Sequence, residues 1–88
     1  MLFLVHWISS PDTRDETFMR FKETGHNAPA DVKIIQAVFA IHQHEGWTLV
    51  EANDPVAVGK FIHSWSDLND HEVFPVVDEE GIRAIIGS

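Results

Sequence analysis

The sequence predicts an α+β domain in which one four-stranded sheet carries two helices on a single side. Three observations predict it. Apolar runs of strand length recur, helix starts appear at Ser10-Pro11 and Asp54-Pro55, and strands and helices interleave in the order β-α-β-β-α-β.

Leu2 to Ile8 is a continuous apolar run, the pattern of a strand covered on both faces. Ser9-Ser10-Pro11-Asp12 opens a helix with a Ser cap, Pro at the first helical position and acid in the first turn. Arg14, Phe18, Phe21 and Gly25 follow at helical spacing, and Gly25, Asn27 and Pro29 stop the helix. Asp31 to Gln43 is rich in Val, Ile and Phe and reads as the second strand. His44-Glu45-Gly46 is a turn, and Trp47 to Ala52 returns as the third strand of a hairpin. Behind Asn53-Asp54-Pro55, the residues Val58, Phe61, Ile62, Trp65 and Leu68 form one apolar stripe of a second helix. His71 to Val77 is the fourth strand, and Asp78 caps a short helix through Ile86. The order is that of a ferredoxin-like sandwich in one domain, residues 1–88. Its second and fourth strands lie at the edges, where Pro75 is tolerated.

Composition bounds the function. A chain of 88 residues holds one core, and at this size roughly 60–65% of the unfolded surface is buried, so oligomerisation is a common remedy. With 44% hydrophobic and 23% charged residues, wholesale disorder and a membrane protein are excluded. The lack of cysteine excludes a disulfide scaffold, thiolate metal sites and thiol chemistry. A net charge of −8 argues against nucleic acid. The apolar start has no Lys or Arg before it and is far short of the roughly 20 residues of a spanning helix, so it reads as a strand in a cytoplasmic protein without a membrane partner. No Gly-rich phosphate loop and no Gly-x-Ser-x-Gly elbow occurs, and no cofactor is expected.

Side chains alternate faces along a strand, so parity sorts them. Phe3, Val5, Trp7, Ile35, Ala37, Phe39, Ile41, Thr48, Val50, Ala52, Phe74 and Val76 form an almost wholly apolar set, assigned to the face under the helices. The other set contains Leu2, Leu4, His6, Ile8, Ile34, Gln36, Val38, Ala40, His42, Trp47, Leu49, Glu51, His71, Val73, Pro75 and Val77. Two helices cover one face only, and this second face is too apolar to lie bare in water. The economical solution is a homodimer packed sheet to sheet. Its weak step is the register of the third and fourth strands, where a slip of one residue exchanges faces.

Met1-Leu2-Phe3, Trp65-Ser66-Asp67-Leu68 and Glu72-Val73-Phe74-Pro75-Val76 resemble a bacterial family known as domain of unknown function 3303. The resemblance covers essentially the whole chain. The family is similar to the dimeric α+β barrel superfamily, which includes cofactor-independent monooxygenases, haem-dependent enzymes and plain ligand-binding proteins. The resemblance implies that fold, and leaves the reaction open.

Candidate site residues follow from parity. His6 and Glu51 fall on the same face of adjacent central strands, where a carboxylate on one imidazole nitrogen makes the other a usable general base. The plainer alternative is a structural polar contact inside a dimer interface. Gln36, Trp47, His42 and His71 are candidates to line the same pocket, with Trp47 as an apolar wall. His42 and His44, with Glu45, form a His-x-His of the kind that binds zinc or copper, but the segment runs into a turn, solvated loop histidines are the better reading, and no metal is assigned. Trp65 and Leu68 continue the core stripe, while Asp67 is expected to satisfy backbone groups in the turn that follows. Asp78, Glu79 and Glu80 fit a helix N-terminus. The leading expectation is a homodimeric binding module for a small, mostly apolar ligand at the sheet face. The alternatives are a monooxygenase-like enzyme with a His6–Glu51 base, and a His-rich metal-binding protein.

Overall fold

In the computed structural model, which describes residues 1–87, the strands are β1 (Leu2–Ser9), β2 (Lys33–Phe39), β3 (Glu45–Glu51) and β4 (Asn69–Val76). The helices are α1 (Arg14–Thr24), α2 (Pro55–His63) and α3 (Glu79–Gly87). The sheet is antiparallel in the order β2-β3-β1-β4, with β1 hydrogen-bonded on both sides. This is the ferredoxin-like α+β arrangement, with β2 and β4 at the edges as their positions in the sequence require.

Alternation in the two central strands holds. Phe3, Val5, Trp7, Gly46, Thr48, Val50 and Ala52 are buried under the helices. Of these, Phe3, Val5, Val50 and Ala52 form one core with Val32, with Ala57, Val58 and Phe61 of α2 and with Trp65 beyond it. The apolar stripe runs past the end of α2. At His63 the helix gives way to tight turns, and Trp65 and Leu68 remain buried in them. Helix α2 starts at Pro55 with the Asp54 side chain accepting from the Val56 N–H at 2.9 Å. The first helix starts three residues later than its proline suggests. Residues 11–13 form a turn in which the Ser10 carbonyl accepts from the N–H groups of Thr13 and Arg14.

The edge strands correct the parity expected from sequence. A bulge at Ile35 separates the pair Ile34–Val50 from the pair Gln36–Leu49. Ile34 therefore packs on the core, while Ile35 is 46% exposed. Beyond the bulge Ala37 and Phe39 are back on the helix side, opposite Thr48 and Gly46. The strand ends at Phe39, and Ile41 stands 98% exposed in the turn. In β4 the phase is inverted. Phe74 opposes Leu4 and Val76 opposes Leu2, on the open face, whereas His71 opposes Trp7 and Pro75 opposes Phe3, on the helix face. Both phases of β4 carry apolar residues, so only its pairing with β1 fixes which face each one takes. Val77 lies beyond the strand.

No helix is long and apolar enough to cross a membrane among the described residues.

Candidate functional site

Two places gather polar groups. On the open face, His6 stands at the centre of β1 and lies flat on Trp47 of β3, with ring centroids 5.0 Å apart and planes within 3°. Its Nδ1 is 2.9 Å from Glu72 Oε1 and its Nε2 is 2.8 Å from Glu45 Oε1. Carboxylates only accept, so both ring nitrogens must donate, which the imidazolium alone does. Partial desolvation pulls the His6 pKa down, but the hydrogen bonds and charges of Glu72 and Glu45 outweigh it, and the net shift is upward.

The partner expected from sequence is not there. Glu51 opposes Leu2 on β1 and Lys33 on β2, four residues along from His6, and its Oε2 lies 3.9 Å from the N-terminal ammonium. Glu45 lies in what the sequence reads as a turn, and Glu72 reaches the open face only because β4 pairs in the inverted phase. His6 therefore has no free nitrogen for proton abstraction in this arrangement.

The other proposed lining residues scatter. Gln36 is exposed on the edge strand opposite Leu49. His42 lies in the β2–β3 turn, where its Nδ1 accepts from the His44 N–H at 3.1 Å and its Nε2 is 3.5 Å from Glu45 Oε2. These contacts build the turn, and no group of three or more His, Asp or Glu is arranged to hold a metal ion among the described residues.

The second place is a cavity between the sheet and the helices, holding about 50 Å³ of free space. Aromatic rings make most of its wall: Trp7, Phe18, Phe21, Phe39, Phe61 and Trp65. Trp7, Phe18 and Phe39 meet one another at centroid distances of 5.9–6.2 Å, edge-on or tilted. The Trp65 indole N–H donates to the His26 carbonyl at 2.9 Å and ties the loop after α1 to the wall. Five polar side chains line it: Thr17, His26, Thr48, Asn69 and His71. Thr17 and Asn69 are buried, and the Thr17 hydroxyl donates to Asn69 Oδ1 at 3.2 Å. His71 joins them because of the inverted phase of β4. Burial lowers its pKa, against the opposing charge of Asp70 and the carbonyl of Asn69. Burial likewise lowers the pKa of His26, on which Phe21 packs edge-on. Among the described residues no Asp, Glu, Lys or Arg lines the cavity, so its surface carries no formal charge at neutral pH.

Asp67 has a role the sequence did not suggest. Its two oxygens accept from Arg20 at 2.9 and 2.7 Å, and Arg20 lies over the Trp65 ring and donates to the Ser64 carbonyl. This pair joins α1 to the turn after α2, at the back of the cavity wall.

The whole chain, residues 1–88, matches the family described as a domain of unknown function (DUF3303). The chain belongs to that family. No curated protein and no solved structure matches it. The segments that carry the family resemblance include Trp65 of the cavity wall, Asp67 of the Arg20 pair and Glu72 of the His6 bridge.

Proposed function

We propose that this domain is a binding module for a small, uncharged, mostly apolar molecule held between α1 and the sheet, and that it works as a homodimer. One observation carries the reading: an aromatic cavity without formal charge that keeps a buried amide donor, Asn69, and a neutral imidazole, His71, at one end. Apolar walls supply affinity in such sites and a few polar groups fix orientation. The free space of about 50 Å³ is a third of the roughly 150 Å³ that accommodates benzene. A ligand beyond a few heavy atoms must therefore displace a wall. That wall is α1, whose only buried residue is Thr17. Self-association is supported by the open face, where Leu4, Leu49 and Phe74 share one row and Val38, Trp47 and His6 the next. A cytoplasmic setting suits both features.

The chain's three tryptophans make the test direct. Trp7 and Trp65 line the cavity and Trp47 does not. Titration with phenol, followed by NMR of the indole N–H signals, is expected to give saturable shifts at Trp7, Trp65 and the Asn69 amide, with Trp47 unmoved. Shifts confined to Trp47, or none, overturn the assignment.

A further inference from the structure

We infer that α3 is an exchanged arm: in the dimer, Ile82, Ile85 and Ile86 of each copy lie on the open sheet face of the other, around Leu4 and Phe74. The inference rests on the self-association proposed above and names the element that completes it.

Three observations lead there. First, α3 packs only loosely on its own chain. It has no buried residue, and Ile82, Ile85 and Ile86 are 44%, 65% and 75% exposed. A helix of nine residues falls below the roughly 12–15 that persist in water without tertiary support. Its apolar side needs a surface, and its own sheet leaves a groove of about 510 Å³ between them, lined by Met1, Leu2, Val76, Val77 and Ile85.

Second, the departure of α3 from the sheet is fixed. Asp78 Oδ1 accepts from the Gly81 N–H at 2.8 Å, and the Asp78 carbonyl accepts from the Ile82 N–H at 3.0 Å. A Cβ on Gly81 would meet the Val77 Cβ at 2.7 Å, so the helix turns away as tightly as a glycine allows. The molecule measures 48 × 27 × 17 Å with a radius of gyration of 14.1 Å, against about 12 Å for a compact chain of this length.

Third, the area requires it. Four strands at ~4.8 Å spacing, each about seven residues long at ~3.4 Å, present roughly 450 Å² of projected face, about half of the ~800 Å² per partner in a stable interface. Each copy also contributes its own α3, a strip ~14 Å long and ~10 Å wide. That brings each side to roughly 590 Å² and lifts the pair above the ~1,000 Å² a specific interface clears, which the two sheet faces alone do not reach. A second copy is the occupant because one surface supplies both the apolar arm and the apolar seat, as an isologous two-fold contact demands.

Light scattering over a dilution series tests this with the full chain, Ile85→Glu, Phe74→Lys, and Met19→Glu as an exposed control on α1. The expected result is a dimer for the full chain and Met19→Glu, with dissociation constants raised by at least ~30-fold in the other two. A monomeric full chain overturns the self-association and the arm together. An Ile85→Glu protein that dimerises like the full chain overturns the arm alone. The chain has no cysteine, so mixing Ile85→Cys with Phe74→Cys protein offers a second readout independent of affinity. A mixed disulfide dimer on a non-reducing gel supports the exchange. Its absence under conditions where the full chain is dimeric overturns it.

Discussion

His6 and His71 lie on opposite faces of the same sheet, and they move stability in opposite directions with pH. The folded-state pKa of His6 is raised above the ordinary 6.5 by Glu72 and Glu45 against partial desolvation. Its contribution is full below 6.5 and is lost as pH rises through the folded value. Burial lowers the pKa of His71 from the same 6.5. The unfolded chain then takes up a proton first, so stability is full above 6.5 and is lost as pH falls toward the folded value. Urea midpoints across this range are expected to separate them. His6→Gln should be most destabilised relative to the parent on the acid side, with the deficit closing as pH rises. That deficit should stay below about 1 kcal/mol, because the Glu72 side chain is 58% exposed and solvent screens the pair. His71→Gln should resist acid better than the parent. A His6→Gln deficit that is constant with pH would show that Trp47 stacking, not charge, is what His6 supplies.

At the level of elements, the central strands and α2 were legible in the sequence and the edge strands were not. Leu2 to Ile8 and Trp47 to Ala52 alternate without interruption, and their buried sets follow. Strand β2 defeats parity because the extra residue at Ile35 reverses the faces of Ile34 and Ile35, and nothing in a run of Val, Ile and Ala announces a bulge. Strand β4 defeats it because His-Val-Pro and Phe-Val are both admissible inner faces. The choice is made by β1, more than sixty residues away in sequence. The cost was the candidate site. Asn69 and His71 could be assigned to the cavity, and Glu72 to His6, only after that pairing was known. The bulge has a measurable consequence. Ile34→Ala is expected to cost about 1–2 kcal/mol as a half-buried core residue, and Ile41→Ser less than about 0.5 kcal/mol. Denaturant unfolding of the two variants checks this, and the reverse order would restore the uninterrupted alternation.

Taken whole, the molecule sets two apolar surfaces back to back, one closed by α1 and α2 and one left open, in a chain of net charge −8. Two such copies repel each other at long range, while the centre of their contact is apolar. Assembly should therefore strengthen as salt is added and the Debye length contracts from ~30 Å at low ionic strength to ~8 Å at physiological. Sedimentation at both ionic strengths checks it, and dissociation by salt would mean that ion pairs across the interface dominate. The place of β1 in the sheet also bears on how the chain is made. Of the four strands, the earliest in the chain is the one that pairs on both sides, with residues 45–51 and 69–76. At roughly 5–20 residues per second, β1 emerges several seconds before β4 exists, so its apolar edge waits in the cell as an unpaired template. Translation speed and chaperone capture over that interval therefore bear on how much of the chain reaches the finished fold.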